Sequence, residues 1–152
     1  EMAFPESHYT LPLLRCLPLQ PSPANSPTTN SPLLPKILKL LRSRLGMHTR
    51  NRSSLRSSII AAHSTFTISF DFSEEDELWK ADEREAFTAH VKRLRRALDS
   101  IFADPHAGTF ISCTVHSGTI RALYDVVGHA DVCVTAGAVV PVFVKGERVV
   151  VG

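Results

Sequence analysis

The spacing of apolar residues changes along this chain, and each spacing predicts a different element. Thr109 to Val115 reads as a strand, and Thr119 to Val127 as a short helix closed by Gly128. Asp131 to Thr135 reads as a strand again. Val139 to Lys145 and Glu147 to Val151 read as two more, turning at Lys145-Gly146. Strand, helix and strand within about thirty residues is the grammar of a parallel βαβ unit. The fold class predicted is therefore α/β, a mostly parallel sheet flanked by helices in three layers.

Upstream the period is helical. Leu34, Ile37, Leu38, Leu41 and Leu45 recur at helix spacing, with Pro35 in the first turn and Gly46 as a stop. Asp82 with Glu85 resembles a capping box, and a long amphipathic helix is predicted behind it. Its apolar stripe is Phe87, Val91, Leu94, Leu98, Ile101 and Phe102, with Lys92, Arg93, Arg95 and Arg96 facing elsewhere. Residues 18 to 32 hold five of the ten prolines and no charge, which predicts a flexible loop. No internal repeat is visible.

Composition narrows the class. With 152 residues and 43% apolar content, the chain fits one domain with a real core. A net charge of +2 is too small to make nucleic acid the expected partner. Seven Lys or Arg and no acid lie between Lys36 and Arg56, and residues 73 to 85, SEEDELWKADERE, are strongly acidic. Two solvated faces that partly compensate one another are the first expectation, ahead of a phosphate-facing patch; nucleic-acid binding comes last, because no aromatics interleave. Three scattered cysteines, Cys16, Cys113 and Cys133, favour a reducing compartment. No signal-peptide pattern or run of 18 apolar residues occurs, so the expected location is cytoplasmic, with the nucleus as a second compartment, and no membrane partner is expected. The opening EMAFPESHYT, with Met2 behind a glutamate, suggests a fragment or an odd gene model.

The candidate chemistry lies at His116, where the strand 109–115 meets the next helix. Three readings stand open. Cys113-x2-His116 and His129-x3-Cys133 imitate a zinc-finger spacing. Strand alternation argues against it, since it puts Cys113 with Ile111 and Val115, and His116 with Ser112 and Thr114. A second reading is an imidazole satisfied by backbone at a strand end. The third uses the position: ligands bind beyond the carboxyl ends of parallel strands, and the amides of Ser117, Gly118 and Thr119 would head a helix that favours an anion. Gly118 would let backbone and ligand approach closely.

The residues also carry a resemblance. ISCTVHSGTIRALYDVVGH followed by PVFVK resembles the C-terminal half of the histidine phosphatase superfamily, in its phosphoglycerate-mutase-like branch. YTLPLLRC, LLRSRLGMHTRNRSSLRS and FSEEDELWKADERE resemble three further segments of that branch in the same order, so the likeness runs from about Tyr9 to Val150. It implies a single domain, residues 1–152, incomplete at its N-terminal strand. It implies an enzyme class acting on a phosphomonoester through a phosphohistidine, without metal or other cofactor. Arg15 matches the arginine that clamps the phosphoryl group, and His116 the histidine that helps bind it, with Ser117 and Gly118 as its neighbours.

The departures are equally specific. The nucleophilic histidine belongs to an RHG motif, and no RHG occurs here. Ser43 stands where the resemblance implies the glutamate of general acid/base catalysis, Leu11 and Leu19 replace polar residues around Arg15, and Arg50-Asn51 replaces Cys-Asp. The expectation is an impaired or inactive member, or else a non-catalytic module that binds a small phosphorylated molecule or inorganic phosphate.

Overall fold

A computed structural model describes residues 4–13, 33–69 and 71–147. Four strands form one parallel sheet: β1 (Ser7–Thr10), β2 (Lys36–Ile37), β3 (Thr67–Ile68) and β4 (Ile111–Thr114), in the order β3-β2-β1-β4. The register pairs Ser7 with Ile111 and Thr10 with Thr114, Tyr9 with Lys36, and Lys36 with Thr67. Three helices accompany it: α1 (Arg56–Ala62), α2 (Phe87–Ala103) and α3 (Ser117–Val127). The parallel α/β class read from the sequence is the fold observed.

Helices lie on both faces of the sheet. On one, Leu94, Ala97 and Ile101 of α2 and Ala122 of α3 bury against Tyr9, Leu11, Leu13, Leu38, Leu40 and Leu41. On the other, Ile59 of α1 packs with Ile37 and Phe72. Register explains the division. Tyr9, beside Lys36 and Cys113, points to one face, and Thr10, Ile37, Ile68 and Thr114 point to the other.

Several elements differ from the periodic reading. Residues 34 to 45 do not form a helix: Lys36 and Ile37 are a strand, and Lys39–Leu41 a 3-10 turn. The run had helical spacing, but the ladders to β1 and β3 satisfy its backbone better, and tertiary pairing outweighs a weak local preference. The long helix begins at Phe87, with Ala86 as its N-cap and no side-chain cap, so Asp82 caps nothing there and Glu85 is used elsewhere. The face α2 buries is His90, Arg93, Leu94, Ala97 and Ile101, so Arg93 points inward. Phe87 and Phe102, expected in the stripe, are exposed.

Among the described residues no strand forms over 131–147, where Asp131–Thr135 and Val139–Lys145 were expected. An isolated strand leaves its peptide groups unpaired, Pro141 lacks a donor, and β propensity acts only against a partner. The strand expected at 147–151 lies, apart from Glu147, outside the described residues, as does the Pro-rich segment 18–32. No described helix is long and apolar enough to cross a membrane.

Candidate active site

β4 ends at Thr114, and two residues later His116 is the N-cap of α3, its backbone extended at φ −81° and ψ 158°. The carbonyl of His116 accepts from the amides of Thr119 and Ile120 at 2.9 and 3.1 Å, which closes the first turn. Ser117 and Gly118 therefore head the helix, with their amides pointing past its N-terminus. α3 is anchored by buried Thr119, Ala122 and Tyr124, and it ends at Gly128, whose φ of 70° lies in the left-handed region. Among the described residues, a Cβ added at Gly118 would meet nothing within 4 Å, so none of them requires glycine there. The space beside it is open.

One partner of His116 comes from the segment that follows β2. After the 3-10 turn Lys39–Leu41 the chain passes Arg42 and brings the Ser43 hydroxyl onto Nδ1 of His116 in a short hydrogen bond. β2 and β4 are separated by β1, yet both deliver their side chains beyond the carboxyl edge of the sheet, where parallel α/β folds place ligands.

Two buried ion pairs hold this turn. Arg42 pairs with Asp76 and donates to the Asn51 carbonyl, while the other Asp76 oxygen accepts from the Ser53 amide at 2.7 Å. Arg93 forks onto Glu85 through Nε and Nη2 at 2.9 and 2.8 Å. Burial would raise the Glu85 carboxyl, but Arg93 and the Leu45 amide outweigh it and hold the carboxyl below its ordinary range. Burial, followed by the charge of Arg93, pushes the His90 ring down; this keeps it neutral, with Nε2 3.3 Å from the Arg42 carbonyl.

The basic run is largely absorbed within the fold. Lys36 reaches Asp104 at 2.6 Å, Lys39 the Asp71 carbonyl at 2.7 Å and Arg44 the Glu85 carbonyl at 2.6 Å, while Arg52 lies over the Trp79 ring. Its partners include Asp71, Asp76 and Glu85, in or beside the acidic segment. This is compensation, but by specific and partly buried contacts rather than between two solvated faces.

Of the residues singled out from the sequence, His116, Ser117 and Gly118 share the strand-helix junction, and Ser43 joins them there. Arg15 and Leu19 lie outside the described residues. Leu11 is fully buried in the core, and the Asn51 carbonyl serves Arg42. His129 accompanies no ligand set: it stacks on Tyr124 with centroids 4.6 Å apart, and Nδ1 lies 2.7 Å from the Ala130 carbonyl. No group of three His, Cys, Asp or Glu suited to a metal occurs among the described residues. Sequence reasoning missed the Arg93–Glu85 pair. The signal was positional, because residue 93 shares a helical face with 90, 97 and 101.

Two curated fungal proteins align with nearly the whole chain. A "Probable phosphoglycerate mutase" of Arthroderma benhamiae is 38% identical over 146 residues, covering 94% of this chain and 43% of that protein. The chain belongs to the phosphoglycerate-mutase-like family. "Phosphomutase-like protein 3" of Candida albicans is 29% identical over 144 residues, covering 95% of this chain and 45% of its own length. The chain thus spans less than half the length of the curated relatives it matches. No family profile matches it, and no solved structure does. Membership agrees with the ordered segments read from the sequence and with the parallel α/β sheet.

Proposed function

We propose that this phosphoglycerate-mutase-like chain carries a phosphoryl-binding site made of His116, the Ser117 and Gly118 amides and Arg15, and that these 152 residues alone bind a phosphomonoester or inorganic phosphate without turning it over. The observation that carries the reading is the placement of His116: it caps α3 at the carboxyl edge of a parallel sheet with Ser43 on its Nδ1. Helix amides and an imidazole together offer several N–H donors to one tetrahedral anion. The open space beside Gly118 is where such an anion would approach.

The impaired half of the proposal rests on chemistry. Transfer through a phosphohistidine requires an activated imidazole facing the phosphorus, and no RHG histidine occurs in the sequence. At the position where the resemblance implies the glutamate stands Ser43, whose hydroxyl meets His116 and cannot exchange protons near neutral pH as a carboxylate can, a contribution of about a hundredfold or more.

Titration with phosphate and orthovanadate tests both halves. Weak saturable binding is expected, lowered by about 1.5–3 kcal/mol in Arg15→Ala, the range for a charged hydrogen bond. His116→Ala should weaken binding more below the pH at which the ring titrates than above it, since only the imidazolium adds charge to its hydrogen bond. An acid-labile phosphoenzyme on this chain would defeat the claim of no turnover. Binding indifferent to both substitutions would defeat the site.

A further inference from the structure

The contacts of Arg93 single it out. A guanidinium has five N–H donors in a fixed plane. Here all five have acceptors: Nε and one Nη2 hydrogen go to Glu85 at 2.9 and 2.8 Å, Nη1 goes to the carbonyls of Leu40 and Arg42 at 2.7 and 3.1 Å, and Nη2 also reaches the Ser43 carbonyl at 3.2 Å. The side chain is only 7% exposed, on the inward face of α2. Glu85 completes the bracket by accepting from the Leu45 amide at 3.0 Å. The turn 40–45 is thus held on three carbonyls and one amide by one buried ion pair.

A buried guanidinium must satisfy its remaining donors, and here it does so on three carbonyls of a single turn, so its position fixes the backbone of that turn. The turn it gathers ends on Ser43, whose hydroxyl sits on His116 Nδ1. We infer that Arg93, with Glu85, is a positioning residue for the site: by fixing the Ser43 backbone it fixes the hydroxyl against the imidazole, and so sets the ring's orientation and tautomer. This rests on the proposal that His116 is the phosphoryl-binding ring, which an outer hydrogen bond would aim as it aims other functional histidines. Arg93 touches no ligand itself and acts through Ser43. A lysine, a point donor on a flexible stem, could not span the same acceptors.

Imidazole 15N spectra of His116 provide the test, in a cycle of Arg93→Lys and Ser43→Ala on the full chain. Arg93→Lys should move both ring-nitrogen shifts in the direction Ser43→Ala moves them, and it should add nothing further in the Ser43→Ala background. A ring unmoved by Arg93→Lys, or an effect undiminished in that background, would overturn the inference. If Arg93→Lys does not fold, the reciprocal coupling is read instead: Ser43→Ala must shift the Arg93 Nε–H resonance, and an unchanged resonance overturns it. Phosphate titration of the same samples separates the two ideas. Absence of phosphate binding by the unsubstituted chain, with the coupling intact, sinks the proposed function alone.

Discussion

At the scale of single residues, the pair of consequence is Arg42 and Asp76, whose side chains are 3% and 2% exposed. Asp76 also accepts from the amides of Ser53, Leu78 and Trp79, so the acidic segment is tied to the turn after β2 through one carboxylate. Asp76→Ala would leave the guanidinium buried without its counter-charge and three amides without an acceptor. A loss of about 3–5 kcal/mol in urea denaturation is expected, the range for breaking a buried pair. Lys80 and Glu83 are the control: both are largely exposed and screened by solvent, so Lys80→Ala should leave stability nearly unchanged. Equal effects of the two substitutions would show that burial does not rank these pairs. The sequence displayed the opposed basic and acidic runs plainly. Which cation meets which anion was hidden, because the partners lie about thirty to seventy residues apart and are joined only by the fold.

At the scale of elements, β4 and α3 were legible because each has a simple local signal: a strand run, a helical period and a glycine stop. The stop is testable. Gly128 has φ of 70°, which costs an L residue about 1–2 kcal/mol, so Gly128→Ala should lower the melting temperature. Gly118→Ala meets no steric obstacle among the described residues and should not lower the melting temperature while weakening phosphate binding; a melting loss at Gly118 would show that the glycine serves the fold. β1 was not legible. Its residues, Ser7, His8, Tyr9 and Thr10, are all buried but offer no apolar alternation. β2 was misread because a leucine-rich run of that length fits a buried helix and a buried strand-turn alike. Arg93 was assigned to the outer face of α2 on residue type, although its position on the wheel puts it with Leu94 and Ala97.

At the scale of the whole molecule, the candidate site was partly legible. The His116 junction and the place of Ser43 followed from ordered segments, whereas the bracket that joins α2 to the turn required three-dimensional contacts. That bracket makes the fold sensitive to acid, with a sign that can be worked out. His90, 1% exposed, has Nε2 beside the Arg42 carbonyl and feels the charges of Arg93, Glu85 and Arg44, and burial first, then Arg93, holds its ring below the ordinary value of 6.5. As pH falls below 6.5 the unfolded chain takes up a proton at this position that the folded chain refuses, so unfolding is favoured. The stabilising contribution is complete above that pH and is lost on descending through the folded value. Glu85 is depressed as well, so its contribution is complete above its ordinary 4.5 and lost as the carboxylate protonates at lower pH. Stability measured by urea denaturation should therefore fall in two stages on acidification. His90→Gln keeps an N–H for the Arg42 carbonyl and removes the titration. It should flatten the first stage relative to the unsubstituted chain and leave the second in place. An unchanged slope between pH of about 6.5 and 5 would show that His90 is not what couples this turn to acid.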